Sequence, residues 1–172
     1  TPPAADGTVD TSIVESVLAA IGKSECAVVL KSTVPPGFTE AESQKIGREI
    51  TFNPEFLTAA NATKDYANQN HTILGVQDTG RLTNQEYLIT QVIGEALPHT
   101  VIVHTSHTVA EMTKYARNCF LATKVAYANE IWGACYALGI SYDEVRSLMV
   151  MDSRIMDSHL QVPGPDGKFG FG

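Results

Sequence analysis

Four stretches of this chain carry side chains able to move protons, hold an oxyanion or approach a ligand closely. Lys31-Ser-Thr-Val-Pro-Pro-Gly37 follows the apolar run from Cys26 to Leu30. In open parallel sheets ligands bind beyond the carboxyl ends of strands, so Thr33 would set a hydroxyl there on a loop stiffened by prolines. The same residues also suit an ordinary strand-to-helix turn. Asn53-Pro-Glu-Phe-Leu57 is a second loop beyond a strand. Partial burial among Pro54, Phe56 and Leu57 would raise the pKa of Glu55 and suit it to proton transfer. A solvated loop glutamate is the plainer reading. Glu111, Lys114 and Asn118 share one helical face by their spacing. An ammonium and an amide beside Ala110, Tyr115 and Leu121 could stabilise a developing oxyanion. A solvated stripe with a Glu111–Lys114 ion pair has the same spacing. Last, Gly164 to Gly172 is rich in glycine, which lets backbone amides come close to a ligand; a loose terminus is the alternative.

Other candidates are weaker. His104 and His107 lack a third ligand at metal spacing, so no metal site is expected. Cys119 and Cys135 fall on a long helical pattern and read as packed thiols. Asn61-Ala-Thr63 and Asn70-His-Thr72 match the glycosylation pattern, which a cytoplasmic chain does not use. No GxGxxG phosphate loop is present.

The elements that must position these residues follow from periodicity. Residues 10–22 read as a helix, with apolar side chains at 13, 14, 17, 18 and 21, a cap at Asp10 or Thr11, and Gly22 closing it. Cys26–Leu30 reads as a strand buried on both faces. A polar helix to about Gly47, strands at 50–52 and 71–76, a helix at 84–93 and a strand at 100–104 follow. Strands alternating with helices predict an α/β sheet of crossover units. From Thr108 to Leu138 only Gly133 interrupts a helical pattern, which would span roughly 45 Å. A helix at 142–149 and a shorter one at 153–160 complete the reading. The character changes near Thr105, so the chain divides into an α/β part, 1–105, and a helical part, 106–172.

Composition narrows the class. The chain has 172 residues, 44% apolar and 18% charged, with 12 basic against 19 acidic side chains and a net charge of −7. No basic cluster offers a footprint for nucleic acid or an anionic membrane. No apolar run is long enough to cross a bilayer. Three cysteines make no disulfide framework. The chain reads as cytoplasmic. Thr1-Pro-Pro3 at one end and a glycine-rich stretch at the other read as the ends of a fragment.

Taken in order, several segments resemble one family. They are Lys31–Gly37, Asn53–Leu57, Ala110-Glu-Met-Thr-Lys-Tyr-Ala-Arg-Asn118, Leu121-Ala122 with Lys124, Asn129-Glu130, and Ser153-Arg-Ile155 with the Gly164–Gly172 loop. Together they are similar to the UDP-glucose/GDP-mannose dehydrogenases, most of all the UDP-glucose 6-dehydrogenases. The resemblance implies the second half of a Rossmann-like parallel sheet followed by a long-helix central dimerisation domain. It implies NAD as cofactor, a nucleotide-sugar substrate, and a four-electron oxidation of UDP-glucose to UDP-glucuronate, of the kind used in polysaccharide biosynthesis, through a thioester on a cysteine.

By carry-over, Thr1, Thr33 and Glu55 lie at the cofactor, and Thr33 helps hold a water with which Glu55 works in the proton steps. Phe56 and Leu57 meet the nucleotide sugar through their backbone. Lys114 stabilises the alkoxide and oxyanion with Asn118 in support. Arg154 reaches the sugar nucleotide, and Phe169, Gly170, Phe171 and Gly172 cradle it. The family's nucleophilic cysteine would follow Gly172, and its glycine fingerprint would precede Thr1; none of Cys26, Cys119 or Cys135 takes the nucleophile's place. Gln69-Asn-His71 stands where the family has Pro-Asp-Arg. The NAD site is therefore expected to be incomplete and the isolated chain inactive, with a homodimer formed through the long helix. Two alternatives stay open: a β-hydroxyacid dehydrogenase-type enzyme, and a non-catalytic dimerisation or nucleotide-binding module.

Overall fold

The computed structural model describes residues 8–22, 24–57 and 61–170. Thr1, Phe171 and Gly172, named above as cofactor or substrate contacts, lie outside the described residues. The order is α1 (Ser12–Ile21), β1 (Val29–Leu30), α2 (Phe38–Ile46), β2 (Thr51–Phe52), α3 (Ala62–Ala67), β3 (His71–Val76), α4 (Asn84–Ala96), β4 (Val101–Ser106), α5 (His107–Leu138) and α6 (Tyr142–Met149). The chain divides into two compact units, Thr1–Tyr115 and Ala116–Gly172, and the division falls inside α5.

In the first unit the strands form one sheet in the order β1-β2-β3-β4. β1 with β2 and β3 with β4 are parallel, in line with the crossover units predicted. The β2–β3 pair is antiparallel, through Phe52 and Gly75, so the sheet is mixed and not wholly parallel. Val28, Leu30, Val34, Ile50 and Phe52 form a core with Val14 and Leu18 of α1 and with Ala110. Val29 is 38% exposed, so β1 is covered on one face only, unlike the two-sided burial its apolar run predicts.

Gly75 sets how closely α5 approaches the sheet. A Cβ there would stand 3.1 Å from the Ala110 Cβ, 3.1 Å from the His107 Cα and 3.2 Å from the Phe52 Cβ. Only a residue without a side chain admits the first turn of α5 so close to β3. β4 runs into α5 without a loop, Ser106 to His107, so strand and helix hold each other in register.

Two local readings change. α3 has no sequence expectation behind it: six residues, no side-chain cap and no buried position leave no periodic stripe to read. Residues 153–160, read as a helix, are turns. There Asp152 accepts the Arg154 N–H at 3.0 Å, and Ile155 and Leu160 donate backbone hydrogen bonds to Asp152 and Asp157, which replaces helical bonding with local turns. In the second unit Tyr142, Ala128, Cys135, Leu160 and Val162 make the core, and the Tyr142 hydroxyl donates to the Leu160 carbonyl at 2.6 Å.

Candidate functional site

The first turns of α5 deliver two charged side chains to the sheet. Glu111 is fully buried and accepts the backbone N–H of Gly37 at 2.5 Å and of Thr39 at 2.8 Å. α2 begins at Gly37, in the left-handed region at φ 92°, with no side-chain cap of its own. Its first amides therefore need an acceptor from elsewhere, and the carboxylate also suits the positive end of the helix. Glu111 thus holds α5 to α2. The Glu111–Lys114 ion pair weighed from the spacing is not formed; each side chain has its own partner.

Lys114, one turn on and 5% exposed, reaches the loop after β2. Its ammonium donates to the Glu55 carboxylate at 2.8 Å and to the Glu55 backbone carbonyl, and lies 5.4 Å from the centre of the Phe56 ring. The second Glu55 oxygen accepts the Leu57 N–H at 2.8 Å. Lost hydration pushes the Glu55 carboxyl up, but the Lys114 hydrogen bond, the Leu57 N–H and the charges of Lys114 and Lys31 outweigh it. Glu55 therefore sits below the usual glutamate range, opposite to the rise that burial alone predicts. It is a base held ionised by a cation, not a carboxylic acid kept neutral by an apolar pocket.

Lys31 and Asn53 complete the cluster, and neither was singled out from the sequence. The Lys31 ammonium donates to Asn53 Oδ1 at 2.6 Å and stands 5.7 Å from the Tyr66 ring centre. Asn53 is buried, and its amide donates to the Thr72 hydroxyl at 2.9 Å and to the Ile73 carbonyl at 2.8 Å. The available signal was an asparagine directly after a strand and before a proline: such a side chain must find backbone or side-chain partners once the strand end is buried.

The other candidates lie as follows. Thr33 is half-buried on the segment between β1 and α2. Asn118 lies four residues beyond Lys114 on α5 and is half-buried. Arg154 is exposed and closes a double hydrogen bond on Asp152, Nε to Oδ1 at 2.9 Å and Nη2 to Oδ2 at 2.5 Å. In the glycine-rich stretch the Phe169 carbonyl accepts from Asn129 at 2.5 Å, and its ring meets Trp132 edge-on at 5.3 Å. Gly170 has open space where a side chain would be. Among the described residues no group of acidic, histidine or cysteine side chains is placed to hold a metal.

The start of α2 is closed to an anionic ligand. The N-terminal amides of α2 are taken by Glu111 and cannot bind a pyrophosphate. The sequence has no glycine-rich phosphate turn. The residues present offer instead a lysine from helix α5, Lys114, and an ionised carboxylate on the loop after β2, Glu55, suited to an alcohol or carbonyl group brought against them.

Residues 1–93 match the model of the NAD binding domain of the UDP-glucose/GDP-mannose dehydrogenase family, and residues 108–170 match that of its central domain. The chain is 33% identical over 169 residues to a UDP-glucose 6-dehydrogenase of Pseudomonas aeruginosa, covering 90% of this chain. It is 32% identical over 177 residues to the UDP-glucose 6-dehydrogenase AglM of Haloferax volcanii, covering 93% of it. It spans 37% and 41% of those relatives' lengths. Among solved structures, a UDP-glucose dehydrogenase from Pyrobaculum islandicum superposes with a TM-score of 0.79 at 30% identity, covering 93% of this chain and 39% of that one. A ternary complex of GDP-mannose dehydrogenase from Pseudomonas aeruginosa gives 0.75 at 30%, covering 95% and 39%. With both units matched in order and the fold shared, the chain belongs to the UDP-glucose/GDP-mannose dehydrogenase family.

Proposed function

We propose that this chain is the middle part of an NAD-dependent nucleotide-sugar 6-dehydrogenase, with UDP-glucose as the substrate oxidised to UDP-glucuronate. The observation that carries the reading is the Lys114–Glu55 contact: a buried ammonium and an ionised carboxylate 2.8 Å apart beyond the strand ends. Relatives named for UDP-glucose support the choice of sugar nucleotide. The overall change takes an alcohol and water to a carboxylate, with two hydride equivalents passed to two NAD and the remaining protons released.

Bound NAD supplies the hydride acceptor. The chain's own residues handle charge and protons. Lys114 has a third N–H beyond those given to Glu55, and that donor meets the substrate oxygen as negative charge grows on it. Glu55, held ionised, accepts a proton directly or through a water steadied by Thr33. Backbone groups of Phe56 and Leu57 orient the sugar. The family match leaves the β-hydroxyacid dehydrogenase alternative without support.

The 172-residue chain alone is proposed to bind substrate weakly and to turn nothing over, because its sequence carries no glycine-rich phosphate turn. Two measurements on the pure 172-residue chain test this. UDP-glucose added in an NMR titration should shift the amides of Glu55–Leu57 and the Lys114 side chain. Incubation with NAD and UDP-glucose should produce no NADH absorbance. NADH formation overturns the inactivity, and shifts confined to other regions overturn the site.

A further inference from the structure

The Lys114–Glu55 pair raises a question of charge. Lys114 commits two of its three donors to Glu55. When its third donor meets a substrate oxygen on which negative charge grows, the one ammonium answers two anions, and a carboxylate whose countercharge is shared takes up a proton more readily. A second cation stands ready. Lys31 is an exposed residue, yet its ammonium end rests on Asn53 at 2.6 Å and near the Tyr66 ring. Asn53 is 5% exposed and tied to β3 by its bonds to Thr72 and Ile73. Glu55 follows two residues later in the same loop.

The charged groups facing Glu55 are Lys114 from α5 and Lys31 from the segment after β1. From β3, His71 stands 6.5 Å from the Phe56 ring. Lys31 makes no ion pair with Glu55 at contact distance and acts on it through the field. Lost hydration pulls the Lys31 ammonium below its usual range, the Glu55 carboxylate works against that fall, and the Lys114 charge adds to it. The three groups are thus one electrostatic unit of two cations and one anion.

We propose that Lys31 is a positioning residue of this site: through Asn53 it fixes the loop that carries Glu55, and its charge adds countercharge while Lys114 also answers the substrate. The role rests on the reading of Lys114 and Glu55 given above. Its test needs no substrate, cofactor or turnover, so its failure is separate from the failure of that reading.

The test follows the Glu55 side-chain carboxyl by carbon NMR against pH, in the 172-residue chain and in Lys31→Met, Lys31→Gln and Lys31→Arg. The two neutral variants should raise the Glu55 midpoint by on the order of 0.5 pH unit, and the arginine should leave it in place. Lys31→Gln keeps an amide donor for Asn53, so there the amides of Asn53–Leu57 should hold their positions while the midpoint moves. A midpoint unmoved in the folded neutral variants overturns the proposal. A second measurement needs no substitution. The Lys31 Cε resonance of the unaltered chain should step when Glu55 titrates; a resonance blind to that step overturns the coupling.

Discussion

The central residue contact is an ammonium inside the fold that has no role there unless a carboxylate answers it. Lys114 is 5% exposed, and a buried charge without a partner is strongly disfavoured. Replacing Lys114 with Met would leave the Glu55 carboxylate without its closest cation. We expect Lys114→Met to lose about 1–3 kcal/mol at pH 7 in urea denaturation. The sign with pH follows from Glu55. Its folded pKa is lowered, so its contribution is fully present above the unfolded value, about 4.3, and is lost as pH falls through the folded one. The gap between wild type and Lys114→Met should therefore close between pH 5 and pH 3, a window on the order of the titration range of a carboxylate. A gap that stays constant across that range would show that Lys114 contributes by packing alone. Lys114 and Glu55 were legible through the family resemblance of the Ala110–Asn118 and Asn53–Leu57 segments, because by spacing alone each reads equally well as a solvated side chain. The direction of the Glu55 shift was not, because it depends on a lysine 59 positions away in the chain.

At the scale of elements, the site exists because α5 is brought hard against β3 and then pinned to α2. Gly75 permits the first, and Glu111 secures the second. Gly75→Ala would force a Cβ within 3.1–3.2 Å of Ala110, His107 and Phe52, two of these contacts with the Cβ of a fixed neighbour and one with backbone. The helix or the strand must give. We expect a loss of about 1–3 kcal/mol, with amide shifts at Glu55 and Leu57 although neither touches residue 75. Shifts confined to β3 and the residues beside it would mean that the sheet alone absorbs the strain and that the Lys114–Glu55 geometry is set elsewhere. Sequence reading located most of these elements, since long apolar periodicity fixes helices such as α5 and α4 and short apolar runs fix β3 and β4. It could not give the antiparallel β2–β3 pairing, because strand direction is decided by where the connecting chain packs and not by the strand's own residues. Nor could it assign Glu111. Its spacing from Lys114 suggests a local pair, while its true partners are the uncapped amides of a helix 72 and 74 positions earlier.

At the scale of the whole molecule, the second unit carries an apolar stripe that its own fold leaves uncovered. Phe120 is 65% exposed, Tyr127 51% and Leu138 73%. Their separations of seven and eleven residues are close to whole numbers of helical turns, which puts them on one line along α5. A row of large apolar side chains held out of the core is what a self-complementary interface requires, and a second copy of α5 is the partner proposed for it. The net charge of −7 does not prevent this, since the stripe itself carries no charge at those three positions. Sedimentation velocity of the 172-residue chain should show a dimer. Phe120→Asp places a carboxylate in the middle of the contact, where burial against a partner would leave it unpaired, and should return the chain to a monomer. Because Phe120 is exposed in the single chain, the same substitution should change the urea midpoint of that monomer little, within about 0.5 kcal/mol. A dimer that persists in Phe120→Asp would move the interface off this face of α5, and a wild-type chain that stays monomeric at high concentration would remove the proposed self-association altogether.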